Sequence, residues 1–594
     1  MSADARRRLL VCGLWAALFA LAAVLNLHDL RSLDYWWHLR AGQLIAETGE
    51  VPHHDPFTYT VPGARWIDIH WLHQLGLHAL YSTGGHAAVV VAQLALVCLW
   101  LVALAPIGYR RERAWLSVGA LALMLLVAVS RLQARPEVPS FVLLAWILRL
   151  LDRFERTPDR LLYAIVPLQL LWVNVHGLFA VGIAVCAIYF VAELLRALGR
   201  SGEGLRVGRV RRLAGVTVLA VLTSLANPNG LDGALYPLQQ LDMVGSAERR
   251  GAFGMLIDEL QPTLGSVDPF PLGLFLGLAS LSLGSMGVNW RRVREADILL
   301  WVAFFYLALG ANRNTALFAV VAAPILVRNA NEAIDARPQW MRLDASGTVF
   351  AVVLGLLVAV DAAIVRHFAR MGRYSLPRVC VAEGLNPIGA AEWIVRTRAP
   401  APIAHDMGDG GYLIWRLWPE YAVMSDGRLE IFGPELLPRL QPSDTARFAA
   451  LNAQYGFGTV LLNHRRGGVG PLAGTLRASG AWRLSYADDV SVVFVRNDTD
   501  PVRWPALALD APGIFDPLDG VDEVAARPRL TARTQLLLDL GRPDLALRSW
   551  EGALARYPDL PEGPAILAEL RAFAAGASLP PELPAGGALA TPPH

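Results

Sequence analysis

The sequence predicts an α-helical polytopic membrane protein with about 11 transmembrane helices, a C-terminal extracytoplasmic α/β domain and a short helical hairpin. Three observations carry this expectation. Apolar residues make up 54% of the chain and charged ones only 18%, with a mean hydropathy of +0.39, whereas soluble domains carry about 25% charged residues. Apolar runs of span length recur through residues 1–366. Arginines gather in every second connection between those runs.

A span takes roughly 17–25 mainly apolar residues. Segments 9–27, 86–108, 114–130, 137–151, 161–175, 177–198, 213–227, 270–288, 297–311, 314–328 and 347–366 fit or approach that length. The first has a basic start and no clean cleavage site before a polar stretch, so it reads as a helix rather than a removed signal. All 53 basic residues are arginine. They cluster at Arg6–Arg8, Arg110–Arg113, Arg153–Arg160, Arg200–Arg212, Arg291–Arg294 and Arg328–Arg342. That alternation is what the positive-inside rule requires of cytoplasmic loops. It predicts a cytoplasmic N-terminus. The loop 27–85, the turns at 131–136, 174–177 and 312–314, the loop 228–269 and everything after 366 then face outward.

The outward C-terminal part divides by pattern. Residues 367–500 read as an α/β domain: IGAAEWIVRTRA has helical spacing, and PIAHD, YLIWRL, YAVMSD, TVLLN and SVVFVR are short apolar runs with strand character. Residues 501–576 read as a linker and a helical hairpin resembling one tetratricopeptide repeat. A single unit cannot bury its own face, so it is expected to cap the domain. The Ala/Pro/Gly-rich tail 577–594 reads as disordered.

The loop 27–85 concentrates the reactive side chains, with seven of the 13 histidines. Asp34 follows the first span by about seven residues, which places it near the outer membrane surface. Tyr35, Trp36 and Trp37 beside it suit the membrane interface, and His38 and Arg40 come next. Asp34 is also a good candidate helix cap, a role compatible with accepting a proton. Asp55, in HHDPFTYT, is either reactive or the side chain of an Asx turn. Asp68 and His70 lie in WIDIHW, where Asp68 could instead cap the following helix. His70 and His73 have i, i+3 spacing but no flanking carboxylate pair. No metal site is therefore named, and a divalent metal stays open as a cofactor.

The other outward turns carry polar residues at the membrane edge, where such residues are functional candidates by default. Arg131 and Arg135 suit bidentate phosphate contact or simple headgroup snorkelling. Asn174 and His176 flank a turn. Asn227, in ANPNG, is either a ligand contact or a turn residue. Arg313 is either a phosphate contact or an interface anchor. Asp258 and Glu259 are the only adjacent acidic pair in the loop 228–269. In the C-terminal part, Gly410, Gly411 and Gly427 are expected to serve tight turns. There is no Walker A motif, no G-x-S-x-G and no Rossmann fingerprint, so a nucleotide donor has no visible pocket. The net charge of +2 gives no reason to expect nucleic acid. Of the four cysteines, Cys12, Cys98 and Cys186 lie in apolar runs and Cys380 stands alone in a polar one.

The stretch DYWWHLRAGQLIAETGEVPHHDPFTYT, followed by WIDIHWL, resembles the first external loop of a large bacterial family of polytopic membrane proteins described as glycosyltransferases of the GT-C superfamily, related to protein O-mannosyltransferase-type enzymes. ARPEVPSF, WVNVHGLF, LANPNGLDGALYPL, IDELQP, NRNTALF, GGYLIWRL and DGRLEIFG resemble the same family. The resemblance implies a hexosyl- or pentosyltransferase that uses a sugar on a polyprenyl phosphate. Its acceptor would be a glycan, lipid or protein, and its setting the lipid bilayer of a bacterial inner (plasma) membrane. It further implies a catalytic acidic residue in the first external loop, which is Asp34 here. A closely spaced acidic pair is usual in such enzymes. This chain has only Asp29 nearby, so Asp55 or Asp68 is the expected second carboxylate. His38, Arg40 and His70 complete the expected catalytic group. Arg131, Arg135, Asn174, His176, Asn227 and Arg313 form the expected substrate-binding group.

Three other classes fit parts of the pattern. A lipid-linked glycan polymerase or ligase would share the donor. A transporter or flippase would also use many spans, but usually shows two related halves, and no internal repeat is visible. A non-catalytic assembly protein would use the hairpin for docking, which leaves the polar first loop unexplained.

Overall fold

The computed structural model describes the chain apart from residues 1–2, 200–203, 246–257, 266–268, 338–346, 371–380, 382–383, 467–469, 512, 516–522, 559, 561–562 and 576–594. The expected tail disorder and Cys380 lie outside the described residues. The chain divides into two compact units. One comprises Met1–Leu30, Ala41–His53 and Ile67–His367, and the other Arg31–Arg40, His54–Trp66 and Phe368–His594.

The first unit is helical. Its helices are α1 (Ala3–Asn26), α2 (Asp34–Thr48, whose first residues belong to the second unit), α3 (Trp71–Leu104), α4 (Ala114–Val127), α5 (Glu137–Arg156), α6 (Ile165–Val175), α7 (Phe179–Gly199), α8 (Gly204–Thr223), α9 (Gly230–Gly245), α10 (Pro269–Val288), α11 (Glu295–Gly310), α12 (Thr315–Asp335) and α13 (Gly347–Arg370). Every apolar segment picked from the sequence falls on one of them. By length and composition six are able to cross a membrane: Ala5–Asn26, Trp71–Leu104, Phe179–Leu198, Pro269–Val288, Asn312–Asp335 and Thr348–Arg366. The remaining apolar segments form shorter or more polar helices. α3 breaks at Gly84 and Gly85, where Gly85 takes φ +62°. The span expected at 86–108 begins directly after this break.

The arginines behind the sequence-based orientation also make ion pairs. Arg328 binds Asp297 and Asp152, and Arg294 binds Glu155 and Asp152. Arg196 binds Glu155, Glu193 and Glu295. Asn329 adds an amide hydrogen bond to Asp297 at 3.0 Å. Breaking a buried pair from one side costs about 3–5 kcal/mol, because a charge is left without a partner. This network therefore locks the ends of α5, α7, α11 and α12 together.

The second unit contains one sheet of four strands: β1 (Ile403–Ala404), β2 (Thr459–Asn463), β3 (Trp482–Ala487) and β4 (Ser491–Arg496), in the order β1-β2-β4-β3. β1 and β2 are parallel and the other two pairings antiparallel. Every residue of β2 is buried, as expected of a strand covered on both faces. Two expected strands are absent. YLIWRL belongs to a helix, α15 (Met407–Leu417), which follows α14 (Ile388–Thr397). Asp406 caps α15 by accepting from the Asp409 N–H at 3.1 Å, and that cap lies upstream of the apolar run that suggested a strand. YAVMSD makes a single bridge, Val423 with Thr58. Conversely, WRLSYA is β3, which the sequence reading passed over.

Beyond β4 the expected hairpin is three helices, Glu523–Asp539, Pro543–Arg556 and Gly563–Ala574. Trp550 is fully buried among them and donates to Thr534 Oγ1 at 2.6 Å. A buried ion pair at 2.7 Å joins Arg533 to Asp489 in the β3–β4 turn. The helices are thus pinned to the sheet.

Candidate active site

The expected site residues fall into two polar clusters, one in each unit. In the second unit, Asp34 opens α2 and is only partly buried. A carboxylate there complements the positive end of the helix dipole. Its Oδ1 accepts from the Trp37 indole N–H at 3.3 Å. A Cβ on Gly427 would stand 2.5 Å from that same oxygen, and one on Gly411 would stand 2.6 Å from the Leu33 carbonyl. A Cβ on Gly410 would overlap the Ser425 carbonyl. None of these three glycines takes a left-handed φ. The tight-turn expectation is thereby corrected: side chains are missing here because backbone and carboxylate approach too closely to admit them.

The aromatic run after Asp34 is also corrected. Tyr35, Trp36 and Trp37 are 0–4% exposed and form part of a protein core rather than a membrane-interface belt. Trp36 packs edge-on against Tyr412 and tilted against Trp415, both at 4.9 Å between ring centres. His38 is buried, its ring 3.6 Å from that of Trp37. Arg40 donates to the Trp418 carbonyl at 3.2 Å, and its guanidinium lies over the Trp418 ring at 4.8 Å.

Asp55 is fully engaged. It accepts from the Phe57 N–H at 3.1 Å, the Thr58 N–H at 3.2 Å and the Thr58 hydroxyl, and it pairs with Arg428 at 2.8 Å. The first of these bonds is the Asx turn allowed by its sequence. Arg428 also takes Asp426 at 2.7 Å and lies between the rings of Phe57 and Trp66, at 5.1 and 4.7 Å. The sequence reading missed Arg428. Its only local signal is the DGR triplet, and its partner Asp55 lies far away in the chain. Glu430, also missed, sits in a desolvated position. Burial, opposed by Arg428 and reinforced by Asp426, pushes its carboxyl up to about 7.

In the first unit, Arg131 is sealed between two carboxylates, Glu137 and Glu259, and its side chain is 3% exposed. Arg135 also binds Glu259, at 3.0 Å. Burial alone would raise the Glu259 carboxyl, but Arg131, Arg135 and Arg313 outweigh it and hold the group well below the usual carboxylate range. Arg313 differs from the other two. It is partly exposed and, among the described residues, makes no ion pair, acting on Glu259 only at longer range.

His176 shares a hydrogen bond of 2.9 Å with Ser140 Oγ, and its ring lies 5.2 Å from that of His70. Burial, helped by His73, Arg313 and Arg131, pulls the His176 imidazole down to about 3. Burial first, and then His176 and His73, lowers His70 as well. Both rings are therefore neutral near pH 7. Among the described residues no group of three or more His, Cys, Asp or Glu is arranged to hold a metal ion.

Asn174 takes the Trp71 indole N–H at 3.0 Å and donates to the carbonyls of Leu170 and Ala226, both at 2.9 Å. Asn227 donates to the Ser224 and Gly230 carbonyls and accepts from the Asn229 N–H at 2.8 Å, which is the turn role its sequence allowed. Both asparagines line an open, mainly apolar groove of about 630 Å³ with Trp71, Leu170, Leu171 and Pro228. Asp68 is buried and accepts from the His70 N–H at 3.1 Å and the Gln74 amide at 2.9 Å. It does not cap α3, because the N-cap position falls to His70.

No family model matches the chain, and no curated protein matches it. Among solved structures the chain is similar to the archaeal oligosaccharyltransferase AglB from Archaeoglobus fulgidus in complex with an inhibitory peptide and a dolichol-phosphate. That likeness has a TM-score of 0.49 and 12% identity, over 76% of this chain and 69% of that one. The A. fulgidus oligosaccharyltransferase in complex with Zn and sulfate gives a TM-score of 0.49 and 13% identity, over 94% and 86%. ArnT from Cupriavidus metallidurans bound to undecaprenyl phosphate gives 0.44 and 14%, over 84% and 99%. Likenesses of this size do not by themselves decide a fold or a chemistry.

Proposed function

We propose that the chain is an integral-membrane glycosyltransferase. It moves a sugar from a polyprenyl-phosphate-linked donor to an acceptor on the extracytoplasmic side of the membrane. The observation that carries this reading is Asp34: a partly exposed carboxylate at a helix start, in the loop that resembles the GT-C family, with a glycine kept against its oxygen.

The chemistry asks little of the protein. An acceptor hydroxyl oxygen attacks the anomeric carbon, and its proton passes to Asp34 acting as general base. The bond from that carbon to the phosphate oxygen breaks, leaving polyprenyl phosphate with one more negative charge. A fixed cation stabilises that charge as it develops. Arg313, which makes no ion pair among the described residues, takes this role, while Arg131 and Arg135 hold Glu259 and shape its surroundings. Neutral His70 and His176 can donate hydrogen bonds to phosphate. Arg40 and His38 position α2 through Trp418 and Trp37. The groove beside Asn174 and Asn227 is open to apolar parts of the substrate.

The test is replacement of the chromosomal copy by Asp34→Asn, with lipid-linked sugars and surface glycans analysed together. The reading expects the donor lipid to accumulate and one surface glycan to disappear. Unchanged pools with normal protein levels would refute it.

A further inference from the structure

The arginine-rich end of the helical unit holds a second pocket that the proposed transfer does not use. It measures about 80 Å³. The turn after α3, the last turn of α5, Arg294 ahead of α11 and the last turns of α12 converge on it. Four guanidiniums line it, those of Arg110, Arg156, Arg294 and Arg328, against two carboxylates, Asp152 and Glu332.

The carboxylates here are oversubscribed. Asp152 alone serves Arg156, Arg294 and Arg328. Arg110 shares Asp335 with Arg113 and holds it only at 3.5 Å. The side chains of Arg110 and Arg156 are 50% and 52% exposed, so both can turn towards a guest without unpacking the helices. Asn331 is the second observation. It lines the pocket, is 1% exposed and donates to the Gly108 carbonyl at 2.9 Å, while its Oδ1 is buried with no hydrogen-bond partner among the described residues. Buried acceptors without a donor are rare, and each calls for one.

We propose that this pocket binds a phosphate-bearing anion that also offers a hydroxyl donor. The guanidiniums take the phosphate oxygens, for which their forked N–H groups are well shaped. The hydroxyl goes to Asn331 Oδ1. A buried water needs about 10–15 Å³ of such space, so the pocket has room for a small anionic group, and the rest of the ligand stays outside. Two sources share this chemistry: the headgroup of a hydroxylated anionic phospholipid, which basic pockets between helices are suited to take, and inorganic phosphate.

The test uses the full chain, purified in detergent and stripped of lipid. Thermal midpoint and lipid retention by native mass spectrometry are compared for phosphatidylglycerol, phosphatidylethanolamine and inorganic phosphate. The proposal expects phosphatidylglycerol to be retained over phosphatidylethanolamine and to raise the midpoint. The double variant R110Q/R156Q, which changes only half-exposed side chains, should lose that preference by about tenfold or more, the scale of one or two charge-assisted hydrogen bonds. If inorganic phosphate alone stabilises wild type and not the variant, the site stands and its source is free phosphate. Equal retention of the two lipids by wild type, with no effect of phosphate, overturns it. So does a double variant that binds as wild type does.

Discussion

Glu137 and Asp152 stand at the two ends of one 20-residue helix, α5, and the arginines around them are used differently. At the Asp152 end Arg294 and Arg328 each have carboxylate partners on other helices, which closes the network between helices and leaves half-exposed Arg110 and Arg156 at its edge. At the Glu137 end Arg131 and Arg135 are tied to Glu137 and Glu259, and Arg313 makes no ion pair among the described residues. Paired charge holds helices together, and a guanidinium with no ion pair among the described residues is available to a ligand. Residue type does not separate the two roles, because all five are arginines. Their partners do.

The largest effect expected from this contrast is at the closed end. Arg328→Gln leaves Asp152 and Asp297 short of a buried partner and should cost about 3–5 kcal/mol, read as a steep loss of folded protein in thermal denaturation. An unchanged midpoint would mean that the network does not hold the helices. Next comes the pair Arg131→Gln and Arg313→Gln. The first should destabilise the protein. The second should leave the midpoint alone and slow transfer by roughly 10–100-fold, the scale of a charge-assisted hydrogen bond. If Arg313→Gln destabilised as strongly as Arg131→Gln, the contrast would fail.

Gly427→Ala sharpens the same argument in the second unit. The added carbon falls 2.5 Å from Asp34 Oδ1, so overpacking should cost about 1–3 kcal/mol and transfer should drop further than stability. A variant of normal activity would show that Asp34 tolerates displacement. The smallest effect is in pH. The imidazole of His176 is held at about 3 in the folded chain against its ordinary 6.5. Between those values the unfolded chain binds more protons, so this group's contribution is full above pH 6.5 and is lost as pH falls towards 3. Arg313→Gln removes one of the cations that lower it, and the acid-side loss of stability should become shallower. An identical pH profile would separate Arg313 from His176.

The sequence made much of the helical unit legible because hydropathy and arginine placement are one-dimensional signals. The ion network at Asp152 and the helical state of YLIWRL were not legible. Each depends on partners distant in the chain or on a cap that outranks local pattern. The loop 27–85 shows the same limit. Asp34, Asp55 and Asp68 look alike in sequence, each beside aromatic or histidine residues. The structure gives Asp55 an arginine and three hydrogen-bond donors, buries Asp68 against Gln74, and leaves Asp34 partly exposed. Arg428 could not have been found from its own segment, since what defines it is Asp55.

The most direct measurement is transfer by the purified full chain, supplied with lipid-linked sugars extracted from host membranes and scored by release of free polyprenyl phosphate. Wild type should release it, and Asp34→Asn, at an unchanged thermal midpoint, should do so at least about 100-fold more slowly, the lower range for loss of a general base. Release by a folded Asp34→Asn variant at the wild-type rate would contradict the assignment.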